Sequence, residues 1–366
     1  MGQKTAAQGL SAFASSAPPA RGRGSPLSPP LGLVPTERLA IVKSMSDPDP
    51  PAGSVRQVRL PSLDDLESAW QVVSAVLKPT PLVSSSIARD GFLKLETFQP
   101  TGSFKVRGGL SAISTLAPET RAVTASAGNH GLGVAWASAR LGRQATVVVP
   151  LHSSPPKLEA LRTYPIELVE HGDDYEQAER HALDLGRAEN ALFVSPYNDP
   201  NVIAGQATIG LELDSQLSGE LTVVAPVGGG GLLSGLALWA RSRSGVHLAG
   251  VESSESRGVS AAVAAGRIVR VHVGETIADG LAANLEPGSV TPGLLAEAQL
   301  VDVDDEELGN AMRWLFSRHG LVAEGSGAAA VAAVLGHKID VTGGLVVVVT
   351  GRNVAAERYA KILRGD

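Results

Sequence analysis

"LTVVAPVGGGG", residues 221–231, runs directly into "LLSGLALWARSR", residues 232–243. An apolar run of strand length meets four glycines and then a helical pattern. Such a run, with no polar alternation, marks a strand buried on both faces, which is the habit of parallel sheets. The same order recurs outward along the chain. "RAVTASAGNHG" (121–131) leads into "LGVAWASARLG", "ATVVVP" (145–150) precedes "PPKLEALRTY", and "HLAGVE" (247–252) and "LVVVVTG" (345–351) complete the set. Upstream, "SLDDLESAWQVVSAVL" (62–77) opens with Ser62 and Asp65 at capping-box spacing, and Leu63, Leu66, Trp70, Val73 and Leu77 follow on one helical face. Strands alternating with helices predict an α/β fold, a mostly parallel twisted sheet with helices on both faces. In such folds ligands collect where strands end and loops begin.

The chain has 366 residues, 43% of them hydrophobic and 19% charged, enough for a sizeable core. A net charge of −6 with no arginine stripe argues against a nucleic-acid surface. The absence of cysteine removes disulfides, thiol nucleophiles and thiolate metal sites. The apolar runs are too short to span a bilayer, so no membrane partner is expected. Residues 1–55 differ from the rest. They are rich in Pro, Ser and Ala, and Glu37 is the only acid before Met45. This composition predicts a disordered N-terminal extension. It reads as a transit-like segment or as an over-long start with translation beginning at Met45. The arginine-over-lysine preference, typical of GC-rich coding, favours the second reading.

Glycines let backbone N–H groups approach an anion, and a helix N-terminus adds a positive field, so Gly228–Gly231 suit a phosphate. No Gly-Lys-Ser/Thr follows, which excludes a nucleotide P-loop. A dinucleotide fingerprint fits only if Ser234 replaces its last glycine, with Glu252 as the acid about 20 residues on. A nucleotide-binding oxidoreductase is therefore one reading, and a purely structural turn another. "PTGSFKVRGG" (100–109) adds a second signal. Lys105, one of only eight lysines, is bracketed by Gly102 and by Gly108-Gly109 in what reads as a tight turn. A desolvated lysine near a phosphate site can form a Schiff base with an aldehyde. An aldehyde that carries a phosphate describes pyridoxal phosphate.

"TGSFKVRGG" resembles the Schiff-base motif of the fold-type II pyridoxal-phosphate enzymes, in the branch of threonine and serine dehydratases and serine racemase. The resemblance continues through "SAGNHGLG" (126–133), "GGGGLLSG" (228–235), "EGSGAAA" (324–330) and "TGRN" (350–353), in the family's order and over about residues 60–355. Cysteine and threonine synthases carry an acid after the lysine, whereas Val106-Arg107-Gly108 follows here. The resemblance implies two domains of the tryptophan synthase β type: a large cofactor domain over 56–118 and 196–366, and a smaller mobile one over 119–195. It implies Lys105 as the cofactor-binding and catalytic lysine, with Phe104 packed below the ring. Asn129 would meet the phenolic oxygen, Gly228, Gly229, Gly230 and Gly231 the phosphate, and Thr350 the pyridine nitrogen. The turn at Ser126, Gly128 and His130 would bind the substrate carboxylate. The alternative for His130 is a histidine that merely caps a helix. Glu324 would set the charge near the ring.

The implied activity is that of a lyase, which eliminates water from a β-hydroxy amino acid such as L-threonine or L-serine to give a 2-keto acid and ammonia. A neutral Thr350 at the pyridine nitrogen makes a weaker electron sink, suited to β-elimination. Racemases of the branch have a serine where Ala127 stands, so Ala127 argues against racemisation. Their metal site would need Glu252 and a carboxylate at Gly258. Glu255 is a substitute, but the expectation is no metal, with Glu252 a solvated strand-end carboxylate. Arg352 replaces a common glycine. It either clamps a second carboxylate, favouring 3-hydroxyaspartate, or points away to a surface acid. The short tail "VAAERYAKILRGD" leaves no room for a regulatory domain, which suggests a catabolic role. A homodimer or homotetramer in the cytoplasm is expected. A catalytically dead binding protein on the same scaffold is the remaining alternative.

Overall fold

In the computed structural model, which describes residues 57–365, the apolar runs become strands. In chain order they are β1 (Leu82–Ser85), β2 (Gly91–Leu95), β3 (Ala122–Ala125), β4 (Ala145–Val149), β5 (Glu167–Glu170), β6 (Leu192–Phe193), β7 (Leu221–Pro226), β8 (Val246–Ser253), β9 (Gln299–Val303) and β10 (Gly344–Val349). Two sheets result. One has six strands in the order β1-β2-β10-β7-β8-β9, and the other has four in the order β5-β4-β3-β6. Every pairing is parallel except that of β1 with β2 at one edge. Val346, Val347 and Val348 are fully buried along β10, as the unbroken apolar run requires of a central strand covered on both faces. The predicted first helix runs Leu63–Val76 with Ser62 as its N-cap and a complete capping box to Asp65. The expectations for residues 1–55 and Met45 lie outside the described residues. Among the described residues no helix is long and apolar enough to cross a membrane.

One local expectation is corrected. Gly108 and Gly109 do not form a turn beside Lys105; they lie inside the Lys105–Ser114 helix. They are glycine because two helices cross there. A Cβ on Gly109 would stand 2.6 Å from the carbonyl oxygen of Gly133, and one on Gly108 3.0 Å from that of Val202. Only Gly102 has the left-handed backbone of a turn, with φ of +74°. The helix is also pinned from behind. Arg107 bonds Glu96 through Nε (2.7 Å) and Nη2 (2.8 Å), and its Nη1 lies 2.7 Å from Glu212. Lys94 Nζ meets Glu212 at 2.6 Å. The four side chains are no more than 2% exposed, and their charges balance. Removing one partner of such a buried pair costs about 3–5 kcal/mol. The quartet ties β2, the lysine helix and the Pro200–Gln216 helix into one wall.

Candidate active site

A cavity of about 370 Å³ opens where strands of both sheets end, and Lys105, the Ser126–His130 turn, the Gly228–Gly231 turn and Thr350 all line it. Phe104 is held by its N–H bond to the Thr350 carbonyl (3.0 Å). Lys105 opens the next helix and keeps a strip of surface towards the cavity. Its Nζ donates to the Pro196 carbonyl at 2.7 Å and lies 5.2 Å from the centre of the Phe104 ring. Enclosure of Nζ pulls the ammonium down to about 8. About a tenth to a fifth of the amine is thus neutral near physiological pH, far more than for an exposed lysine, and the neutral form is the one that attacks a carbonyl.

The glycine turn joins β7 to the Gly231–Ala240 helix. Gly230 has φ of +87°, a conformation that favours glycine. A Cβ on Gly231 would stand 2.7 Å from Tyr197 Cα, and one on Gly228 2.9 Å from the Gly280 carbonyl. Thr291 Oγ1 donates to the Gly229 carbonyl at 2.7 Å and pins the turn. Protein thus covers one side of these glycines, while the first N–H groups of the helix have no intrahelical partner. A cradle of that kind fits a phosphate. With a part-neutral lysine amine in the same cavity, the residues fit pyridoxal phosphate.

The second turn joins β3 to the Asn129–Leu141 helix. Here side chains are tethered one by one. Ser126 Oγ accepts the Gly128 N–H at 3.1 Å. Asn129 donates to Glu324 Oε1 at 2.7 Å, and Asn353 donates to Asn129 Oδ1 at 2.6 Å. Burial raises the Glu324 carboxyl to about 7, against the opposing bond from Asn129. His130 is buried and bonded through Nε2 to the Val194 carbonyl at 3.0 Å, which assigns the proton to Nε2. Burial and the nearby Lys105 lower its imidazole to about 3, so the ring is neutral. Its side chain caps no helix, contrary to one reading above, and its buried Nδ1 has no partner. Ala127 lines the cavity with no proton to offer.

Two expectations fail for reasons of partner geometry. Glu252 is 1% exposed rather than solvated. Its carboxylate accepts the N–H groups of Val259 (2.8 Å) and Ser260 (3.1 Å) and caps the Gly258–Ala265 helix. Both carboxylate oxygens are thereby engaged by backbone N–H groups. Among the described residues no cluster of three or more His, Cys, Asp or Glu is arranged to hold a metal. Arg352 neither enters the cavity nor pairs with a surface acid; its Nη1 bonds the Thr97 carbonyl. Several cavity residues escaped the sequence reading: Asn353, Ser326, Tyr197, Lys157 and Asp279. Asn353 had a usable signal, since it closes the "TGRN" stretch. Its Oδ1 occupies the space a side chain at Gly102 would need.

Known proteins bear on this site. The chain is 38% identical over 314 residues to the L-threonine ammonia-lyase of Thermotoga maritima, covering 82% of this chain and 78% of that protein. It is 34% identical over 315 residues to the catabolic L-threonine dehydratase of Escherichia coli K12, covering 82% and 95%. Among solved structures, maize serine racemase superposes with a TM-score of 0.77 at 27% identity, covering 84% of this chain and 98% of that one. The processed threonine deaminase isoform 2 of Solanum lycopersicum superposes with a TM-score of 0.76 at 29% identity, covering 84% and 96%. The family described as pyridoxal-phosphate dependent enzyme matches residues 73–351, a span that holds the lysine and both turns, and the chain belongs to it.

Proposed function

We propose that this protein is an ammonia-lyase that dehydrates a β-hydroxy amino acid, L-threonine or L-serine, to a 2-keto acid and ammonia. The observation that carries the reading is the enclosed Lys105 amine in one cavity with the glycine cradle. Bound there, pyridoxal phosphate supplies the electron sink that lets a bond at the substrate α-carbon break. Lys105 would hold the cofactor, and its Nζ would take the substrate α-proton. The Pro196 carbonyl orients that nitrogen. The N–H groups that open the Asn129–Leu141 helix would receive the substrate carboxylate. Gly228–Gly231 hold the phosphate. Asn129, braced by Glu324 and Asn353, would meet the phenolic oxygen, and the neutral hydroxyl of Thr350 would meet the ring nitrogen. Ala127 leaves no acid at the racemase position, so loss of the β-hydroxyl prevails over return of a proton. Residues 119–195 form the smaller lobe that closes on the rest. A homodimer or homotetramer in the cytoplasm accompanies this reading, and light scattering checks the assembly.

The test is keto acid release from a panel of hydroxyamino acids, beside Lys105→Ala. Turnover should fall by about 10⁴ or more in the variant. Borohydride reduction should fix the cofactor to the peptide bearing Lys105. A label on another lysine, or full turnover without Lys105, would end the proposal.

A further inference from the structure

Lys157 and Asp279 hold opposite charges across the mouth of the cavity, with Nζ 2.8 Å from Oδ2. Lys157 belongs to the Pro155–Arg162 helix, and Asp279 opens the short Asp279–Leu281 turn next to the glycine cradle. Apart from Lys105, Lys157 is the one lysine or arginine among the described residues that line the cavity. Arg352 is turned away to Thr97. The two side chains are 40% and 49% exposed, which places them at the entrance rather than the floor. The floor still feels them. The Glu324 carboxyl, raised chiefly by burial, is pushed further up by Asp279 and drawn down by Lys157.

We infer that Lys157 and Asp279 form a charge gate that admits hydroxyamino acids with one carboxylate and rejects those with two. The inference rests on the dehydratase reading above and names its substrate class. An α-carboxylate is met by backbone N–H groups and leaves the gate intact. A second carboxylate finds one cation at the mouth, already taken by Asp279. Drawing Lys157 off leaves Asp279 bare beside the incoming charge, and like charges at such range repel. The hydrogen of serine and the methyl of threonine meet no such barrier.

Asp279→Asn keeps the size and frees Lys157. An ion pair this exposed contributes little to folding, so the variant should fold. In the holoenzyme, the kcat/KM ratio of 3-hydroxyaspartate to threonine should rise about tenfold in Asp279→Asn, through KM. It should fall in Lys157→Gln, and both changes should shrink at high salt. A ratio within twofold of wild type in both variants would overturn the gate. So would loss of both substrates in Asp279→Asn with cofactor absorbance intact, because Asp279 would then serve the chemistry. If the wild-type holoenzyme releases no keto acid from any hydroxyamino acid, the dehydratase reading fails separately. Succinate binding, followed by cofactor absorbance, then decides the gate: tighter binding in Asp279→Asn upholds it, and equal binding refutes it.

Discussion

The turn at Ser126–His130 and the turn at Gly228–Gly231 both follow a parallel strand, and both open a helix with unpaired N–H groups in the same cavity. They differ in what stands around the backbone. The glycine turn brings no side chain of its own and is clamped from outside by Tyr197 and Thr291. The other turn carries Ser126, which bonds back within the turn to the Gly128 N–H, and Asn129 and His130, which are tethered to Glu324 and to the Val194 carbonyl. On the proposed reading, backbone alone suffices where a doubly charged phosphate must simply be held. On the same reading, side chains appear where a substrate must be oriented, and one of their tethers, Glu324, has its carboxyl raised to about 7 by burial.

The comparison breaks first at the glycines. In Gly231→Ala the new Cβ would press on Tyr197 Cα, which is backbone and cannot swing aside. Such overpacking costs about 1–3 kcal/mol, so cofactor affinity should drop about ten- to a hundredfold, measured by dialysis and absorbance. Unchanged affinity would place the phosphate elsewhere.

Glu324 sharpens the other side. Its folded carboxyl, at about 7, lies above the ordinary 4.5 because of burial. The folded chain therefore holds the proton more firmly than the unfolded one, and stability is lost as pH rises from about 4.5 through 7. Glu324→Gln removes that loss. In the cofactor-free protein its advantage in urea should grow by about 2–3 kcal/mol between pH 5 and pH 8. A constant difference across that range would mean the carboxyl titrates normally.

Ser126→Ala removes only the bond to the Gly128 N–H, worth about 1 kcal/mol. KM should rise about fivefold with kcat nearly unchanged; a fall in kcat alone would give Ser126 a chemical role. Arg352→Ala should do least. Its guanidinium bonds Thr97 outside the cavity, so the preference between threonine and 3-hydroxyaspartate should stay within about twofold. A larger change would return Arg352 to the site.

What could be read from sequence alone divides along the same line. Strands such as β7 and β10, the Ser62 cap and the glycine turn follow from local chemistry: apolar runs, a hydroxyl three residues before a carboxylate, four residues without Cβ. The fates of Arg352 and Gly108 depend on what lies far away in the chain. Arg352 meets Thr97 across 255 positions, and Gly108 is set by a helix crossing at Val202. Lys157 and Asp279, 122 positions apart, gave no local sign of pairing. Glu252 was misjudged at short range, because a carboxylate capping a helix two turns on looks like any polar strand end.

The buried quartet of Lys94, Glu96, Arg107 and Glu212 carries a consequence for assembly. None of the four lines the cavity, and their charges cancel among themselves. The wall that carries the reactive lysine is thus finished as the polypeptide folds. A chain made while the vitamin is scarce would stand ready as a shaped receptacle, to be filled later without refolding.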